Sequence, residues 1–119
     1  MIKQFTQQYK TNSLFSQIIR NIVVKATSTP NPNFFKFVPV GKEVMKDGST
    51  LDFVAEKYST ISPLASKMFQ IEGVNRVFYA KDYISVSKLD NSNWDDLKPK
   101  LIELIKQQFT TNTPLFIDD

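Results

Sequence analysis

The chain has 119 residues, which suits one domain and is long enough to bury roughly two-thirds of its unfolded surface without a disulfide or a metal. Hydrophobic residues make up 41% and charged residues 23%, and the formal net charge is +3. With no cysteine and no histidine, the composition excludes a disulfide scaffold, Cys/His zinc sites, thiolate-held iron–sulfur clusters, a Cys nucleophile and any His-based triad.

Residues 1–26 hold Lys3, Lys10, Arg20 and Lys25 and no acid, so they carry +4. The other 93 residues carry 11 basic and 12 acidic side chains, or −1. The positive balance thus belongs to the leader. The body has no excess field for a phosphate backbone, and no nucleic-acid partner is expected for it. In the leader, Leu14, Phe15, Ile18, Ile19 and Ile22 recur at helical spacing, with Lys10, Gln17 and Arg20 off that stripe. An acid-free, basic, amphipathic N-terminus fits a mitochondrial transit peptide over residues 1–26. An ordinary N-terminal helix packed on the body is the alternative. Its apolar runs are two or three residues long, far too short for a membrane span.

The body opens on Thr29-Pro30-Asn31-Pro32-Asn33, a rigid turn, because residues before proline are pushed toward extended conformations. Phe34-Phe35-Lys36-Phe37-Val38 reads as a strand closed by Pro39, with Phe35 and Phe37 on one face. Residues 41–48 form a polar connection in which Val44 and Met45 are candidates for a short strand. Residues 49–54 alternate as a second strand with Leu51 and Phe53 on one face, and residues 55–61 form a mixed connection.

Ser62-Pro63 opens a helix, with Ser as N-cap and Pro at the first helical position. Leu64, Ala65, Met68 and Phe69 make its buried stripe, and Gly73 marks its stop. Residues 74–79 and 83–88 are the clearest strands, joined across Ala80-Lys81-Asp82 as a hairpin, with Ile84 and Val86 inward. Asn91-Ser92-Asn93 caps a last helix, whose stripe is Trp94, Leu97, Leu101, Leu104 and Ile105. Pro99 inside it predicts a restart or a kink.

The order strand, strand, helix, strand, strand, helix predicts an α+β fold, a two-layer sandwich of a largely antiparallel sheet and two helices. Residues 110–119 read as a tail or the start of a linker, with Leu115, Phe116 and Ile117 placed to cover an edge of the body. The aromatic group Phe34, Phe35, Phe37, Phe53, Phe69, Phe78, Tyr79, Tyr83 and Trp94 exceeds what one sheet face needs, so some are expected on the second face. The lysines, among them Lys36, Lys88 and Lys98, are dispersed among acids and read as solvated surface. Asp95 and Asp96 suit the positive end of a helix better than a metal site.

Several of these segments, in order, resemble one family. Thr29-Pro30-Asn31-Pro32-Asn33-Phe34-Phe35-Lys36-Phe37 is similar to the opening of the N-terminal domain of Nfu-type (NifU-like) iron–sulfur scaffold proteins. Ser62-Pro63-Leu64-Ala65 with Met68-Phe69-Gln70-Ile71-Glu72-Gly73-Val74 resembles its next segment. Val77-Phe78-Tyr79, Asp82-Tyr83-Ile84-Ser85-Val86 and Trp94-Asp95-Asp96-Leu97-Lys98-Pro99 continue the match over residues 28–109.

The resemblance implies a non-catalytic module of iron–sulfur cluster assembly, in the mitochondrial matrix, over residues 27–109. It implies docking to iron–sulfur assembly proteins, chaperones or recipient apoproteins. It also implies that a [4Fe–4S] cluster belongs to a C-terminal Cys-x-x-Cys domain, so no cofactor is expected on this cysteine-free chain. The sequence is compatible with a piece of a longer protein, an incomplete gene product or a single-domain relative. It says nothing of oligomeric state.

For protein binding, the candidate residues are Thr29, Pro30, Asn31, Pro32 and Asn33, an exposed rigid loop with little core content; a purely structural turn is the competing reading. No catalytic and no metal-binding residue is assigned. Two other functions stay open: a small carboxylate- or lysine-based enzyme, which would need a desolvated lysine or a close carboxylate pair, and an interaction module unrelated to iron–sulfur assembly.

Overall fold

The computed structural model describes residues 22–111 and 113–117. The leader stripe through Leu14, Phe15, Ile18 and Ile19, and most of the expected transit peptide, lie outside the described residues. Within them are five strands, β1 Val24–Ser28, β2 Phe34–Pro39, β3 Leu51–Phe53, β4 Val74–Tyr79 and β5 Ile84–Lys88. A 3₁₀ helix, Glu56–Ile61, precedes α1, Pro63–Phe69, and α2 spans Trp94–Thr110. The strands form one sheet in the order β1-β2-β5-β4-β3, every pair antiparallel. This is the expected α+β architecture with one strand more.

That extra strand is β1. Its register with β2, Val24 opposite Pro39 and Ser28 opposite Phe35, makes residues 29–33 a hairpin loop. It crosses from the segment read as leader into the body at residues 26 and 27. The signal was short: Val24 and Ala26 are half-buried and alternate with exposed Lys25 and Thr27, too few positions to stand out beside a basic helical stripe.

Strand alternation places Phe37, Val77, Tyr79, Ile84 and Val86 on one face, all fully buried. The helices cover that face with Leu64, Ala65, Met68, Leu97, Leu101 and Ile105. Ser62 caps α1 through a hydrogen bond from the Ala65 N–H, and Pro63 sits at its start. The helix ends at Phe69, a turn before Gly73. Gly73 instead makes the entry to β4, at φ +103°, and its carbonyl accepts from the Leu89 N–H at 2.8 Å. Only glycine fits there without strain: a Cβ would come within 2.3 Å of Ser92 Oγ. The α2 helix runs unbroken through Pro99, capped by Asn93 Oδ1 accepting from the Asp95 N–H at 2.9 Å.

Three local expectations are corrected. Val44 and Met45 form no strand; both are buried, and both their N–H groups point at the Lys81 carbonyl, at 2.7 and 3.3 Å, in the β4–β5 turn. Residues read as a mixed connection wind into the 3₁₀ helix. Lys88 is buried, 8% exposed, because it continues the inward parity of Ile84 and Val86. The segment 113–117 folds back on the body: Gln108 Nε2 donates to the Thr113 carbonyl at 2.7 Å, the Ile117 N–H donates to the Ile61 carbonyl at 3.0 Å, and the Phe116 ring meets Tyr79 edge-on at 6.2 Å.

Candidate protein-docking site

The 29–33 loop is built by its own side chains. Thr29 Oγ1 lies 2.8 Å from the Asn31 carbonyl and 3.1 Å from the Phe34 carbonyl, and accepts from the Asn31 N–H at 3.2 Å. Asn31 Oδ1 accepts from the Asn33 N–H at 3.0 Å, the turn that asparagine makes with its own backbone. The Asn31 carbonyl accepts from the Phe34 N–H at 3.0 Å and closes the turn. Pro30 and Pro32 fix φ at alternate positions, which leaves little freedom to the segment between them.

Three residues distant in sequence then anchor the loop. Trp94 Nε1 donates to the Pro32 carbonyl at 2.9 Å, while its ring packs 4.7 Å from Phe35. The Lys88 N–H donates to the Asn33 carbonyl at 2.9 Å, and Lys88 Nζ donates to Asn33 Oδ1 at 3.0 Å. Asn33 Nδ2 donates to Asp90. Thr29, Asn31 and Asn33 therefore spend their polar atoms on holding the loop. What faces outward is the pair of proline rings and the tip at Asn31, all exposed.

Sequence spacing alone does not bring these anchors to the loop: it puts Trp94 on a helical stripe and Lys88 on a solvated surface. The alternation of β5, carried one step past Val86, was the available signal for Lys88.

The Ser62-Pro63-Leu64-Ala65 segment is structural. Ser62 is fully buried, and its Oγ lies 2.7 Å from the Tyr79 hydroxyl. Burial pushes the Tyr79 phenol well above its ordinary value, so it stays protonated. Asp95 and Asp96 lie in the first turn of α2, and among the described residues no group of three metal-ligating side chains comes together.

A family model described as "Scaffold protein Nfu/NifU N terminal" matches residues 24–112. The chain belongs to this family. NifU-like protein 5, mitochondrial, from Arabidopsis thaliana is 41% identical over 99 residues, covering 83% of this chain and 35% of the relative. The NFU1 iron-sulfur cluster scaffold homolog, mitochondrial, of Drosophila persimilis is 36% identical over 96 residues, covering 81% of this chain and 34% of the relative. The chain thus spans about a third of the length of these relatives. Both are named mitochondrial, in agreement with the address read from the leader.

The solution structure of a NifU-like protein from Saccharomyces cerevisiae superposes with a TM-score of 0.72 over 82% of this chain and 87% of that one, at 24% identity. The crystal structure of protein SAV1430 from Staphylococcus aureus gives 0.60 over 69% and 96%, at 23% identity. These two likenesses concern the fold. The family match begins at Val24, the first residue of β1.

The cluster that the family name brings with it does not fit this chain. Iron–sulfur clusters are held by thiolates, with imidazole as the substitute in some centres, and the chain has neither Cys nor His.

Proposed function

We propose that this chain is a non-catalytic docking module of a mitochondrial iron–sulfur cluster scaffold or carrier, acting in the matrix. In this reading residues 1–26 include the mitochondrial address, residues 27–109 with β1 form the module, and residues 110–119 lead toward a linker. Because β1 starts at Val24, removal of the address upstream of that residue would leave the sheet whole. The cluster would be carried by a Cys-x-x-Cys domain outside this sequence, and the module would bring donors, chaperones or recipient apoproteins to it.

The observation that carries the reading is family membership over residues 24–112 in a chain without one cluster ligand. The pre-formed 29–33 loop supports it, since a loop already held in one conformation loses little entropy when a partner engages it. The test is capture from mitochondrial extract with the wild-type chain and with Pro30→Ala/Asn31→Lys/Pro32→Ala. The module should enrich cluster-assembly proteins, and the loop variant should lose them while keeping its fold. Enrichment of none of them by the wild type contradicts the reading. Incubation with iron and sulfide should yield no stoichiometric cluster absorbance on this chain; a stable cluster contradicts the assignment of the ligands to another domain.

A further inference from the structure

The helices and the 113–117 segment pack on one face of the sheet. The opposite face is set by the same registers. Across it Phe34, Ser87 and Arg76 stand side by side on β2, β5 and β4, and the next row is Lys36, Ser85 and Phe78. The central strand therefore carries small hydroxyls, half-buried Ser85 and buried Ser87, between the longer side chains of its two neighbours. Ser87 is only 7% exposed, so the surface presented along β5 is made by half-buried Phe34, Lys36, Phe78 and Tyr83 and by exposed Arg76. Tyr83 stands at one end, with Lys36 Nζ 4.3 Å from its ring centroid and the Phe78 ring at 6.3 Å.

Charge is uneven on the molecule. The described residues carry twelve basic and ten acidic side chains. Lys25, Lys36, Arg76 and Asp52 share the open face, which leaves nine basic and nine acidic elsewhere. The face itself carries +2, three basic side chains against one acidic. Asp52 is occupied by Arg76, which grips it with two hydrogen bonds at 3.0 and 2.6 Å. Lys25 and Lys36 have no carboxylate partner among the described residues.

We propose that this open sheet face docks an extended acidic segment of a partner protein, laid along β5, with carboxylates toward Lys25 and Lys36 and apolar side chains against Phe34, Phe78 and Tyr83. The face offers half-buried aromatic surface beside its free positive charge. Its charge opposes the chain's own acid-free leader and complements an acidic strand. A single-stranded nucleic acid fits less well, because it is held through many phosphate contacts and, among the described residues, this face offers just Lys25 and Lys36 free of a carboxylate. The proposal gives the partner's chemistry for the docking reading above and rests on it.

The test is titration of the ¹⁵N-labelled full chain with a twelve-residue peptide alternating Glu and Val around a central Phe. Controls are the same peptide with Lys for Glu and a twelve-nucleotide oligothymidylate. Amide shifts are expected on β2, β4 and β5 and not on α1 or α2. Lys25→Glu/Lys36→Glu should weaken binding about tenfold or more while the circular dichroism spectrum stays that of the folded wild type, and Lys100→Glu on α2 should leave binding unaltered. Absence of shifts at millimolar peptide, shifts on the helices, or equal binding of the Lys peptide or the oligonucleotide overturns the proposal. Peptide binding without capture of any cluster-assembly protein keeps the face and removes the functional reading; capture without peptide binding does the reverse.

Discussion

Replacing Tyr79 by Phe isolates one buried hydrogen bond. The ring keeps its edge contact with Phe53 at 5.0 Å and with Phe116, so packing changes little. What disappears is the 2.7 Å contact with Ser62 Oγ. Ser62 is fully buried, and its hydroxyl is left with only the Ala65 N–H at 3.5 Å. An orphaned buried hydroxyl costs about 1–3 kcal/mol. Ser62→Ala loses the same bond plus the helix cap, together about 2–3 kcal/mol. Because both variants lose one shared interaction, the double variant should fall short of their sum by about 1–2 kcal/mol. Urea unfolding followed by circular dichroism measures all three.

The pH dependence gives a second arm. Burial raises the folded-state pKa of Tyr79 above its unfolded value, so its contribution is fully present below about pH 10 and is lost as the pH rises beyond it, by up to about 1.4 kcal/mol per pH unit. Tyr79→Phe should flatten that alkaline loss relative to the wild type. Additivity within about 0.3 kcal/mol, or identical alkaline slopes, would refute a coupled buried pair.

Gly73→Ala should cost about 2–4 kcal/mol, from its positive φ and from the Cβ driven into Ser92; adding Ser92→Gly should restore the steric part alone, as thermal melts would show. Lys88→Met removes the donor to Asn33 Oδ1 and to the Leu89 carbonyl, and should cost about 1–2 kcal/mol while speeding amide exchange at residues 31–34. Asp52→Asn breaks a surface ion pair with both partners more than a third exposed, so the loss should stay within a few tenths of a kcal/mol. Arg76 holds the Asp52 carboxyl below the usual carboxylate range. That small contribution is therefore present above about pH 4 and disappears as the pH falls below it, which acid titration of unfolding in wild type and variant checks.

Much of this fold was legible because its periodicities are clean. Ile84 and Val86 alternate inward, Leu64, Ala65, Met68 and Phe69 line one helix face, and Ser62-Pro63 announces a helix start. The excess of aromatics also resolved as expected, with Phe34, Phe78 and Tyr83 on the second sheet face. Edge strand β1 was not visible, since five residues with two half-buried positions carry almost no pattern. Its partner Phe34–Pro39 gives it a register that only the folded sheet supplies. The 29–33 loop was visible as a turn from its prolines and asparagines. Its anchors were not, because Lys88, Asp90 and Trp94 reach it from 55 or more positions away, and no local signal encodes that meeting.

The docking account is tested most directly inside the organelle. A photo-crosslinking residue is placed at position 31, on the exposed loop tip, and separately at position 107, on the exposed side of α2. After irradiation of intact mitochondria, adducts are identified by mass spectrometry. The account predicts cluster-assembly proteins attached through position 31 and few or none through position 107. Equal adducts from both positions, or none containing a cluster-assembly protein, would contradict it.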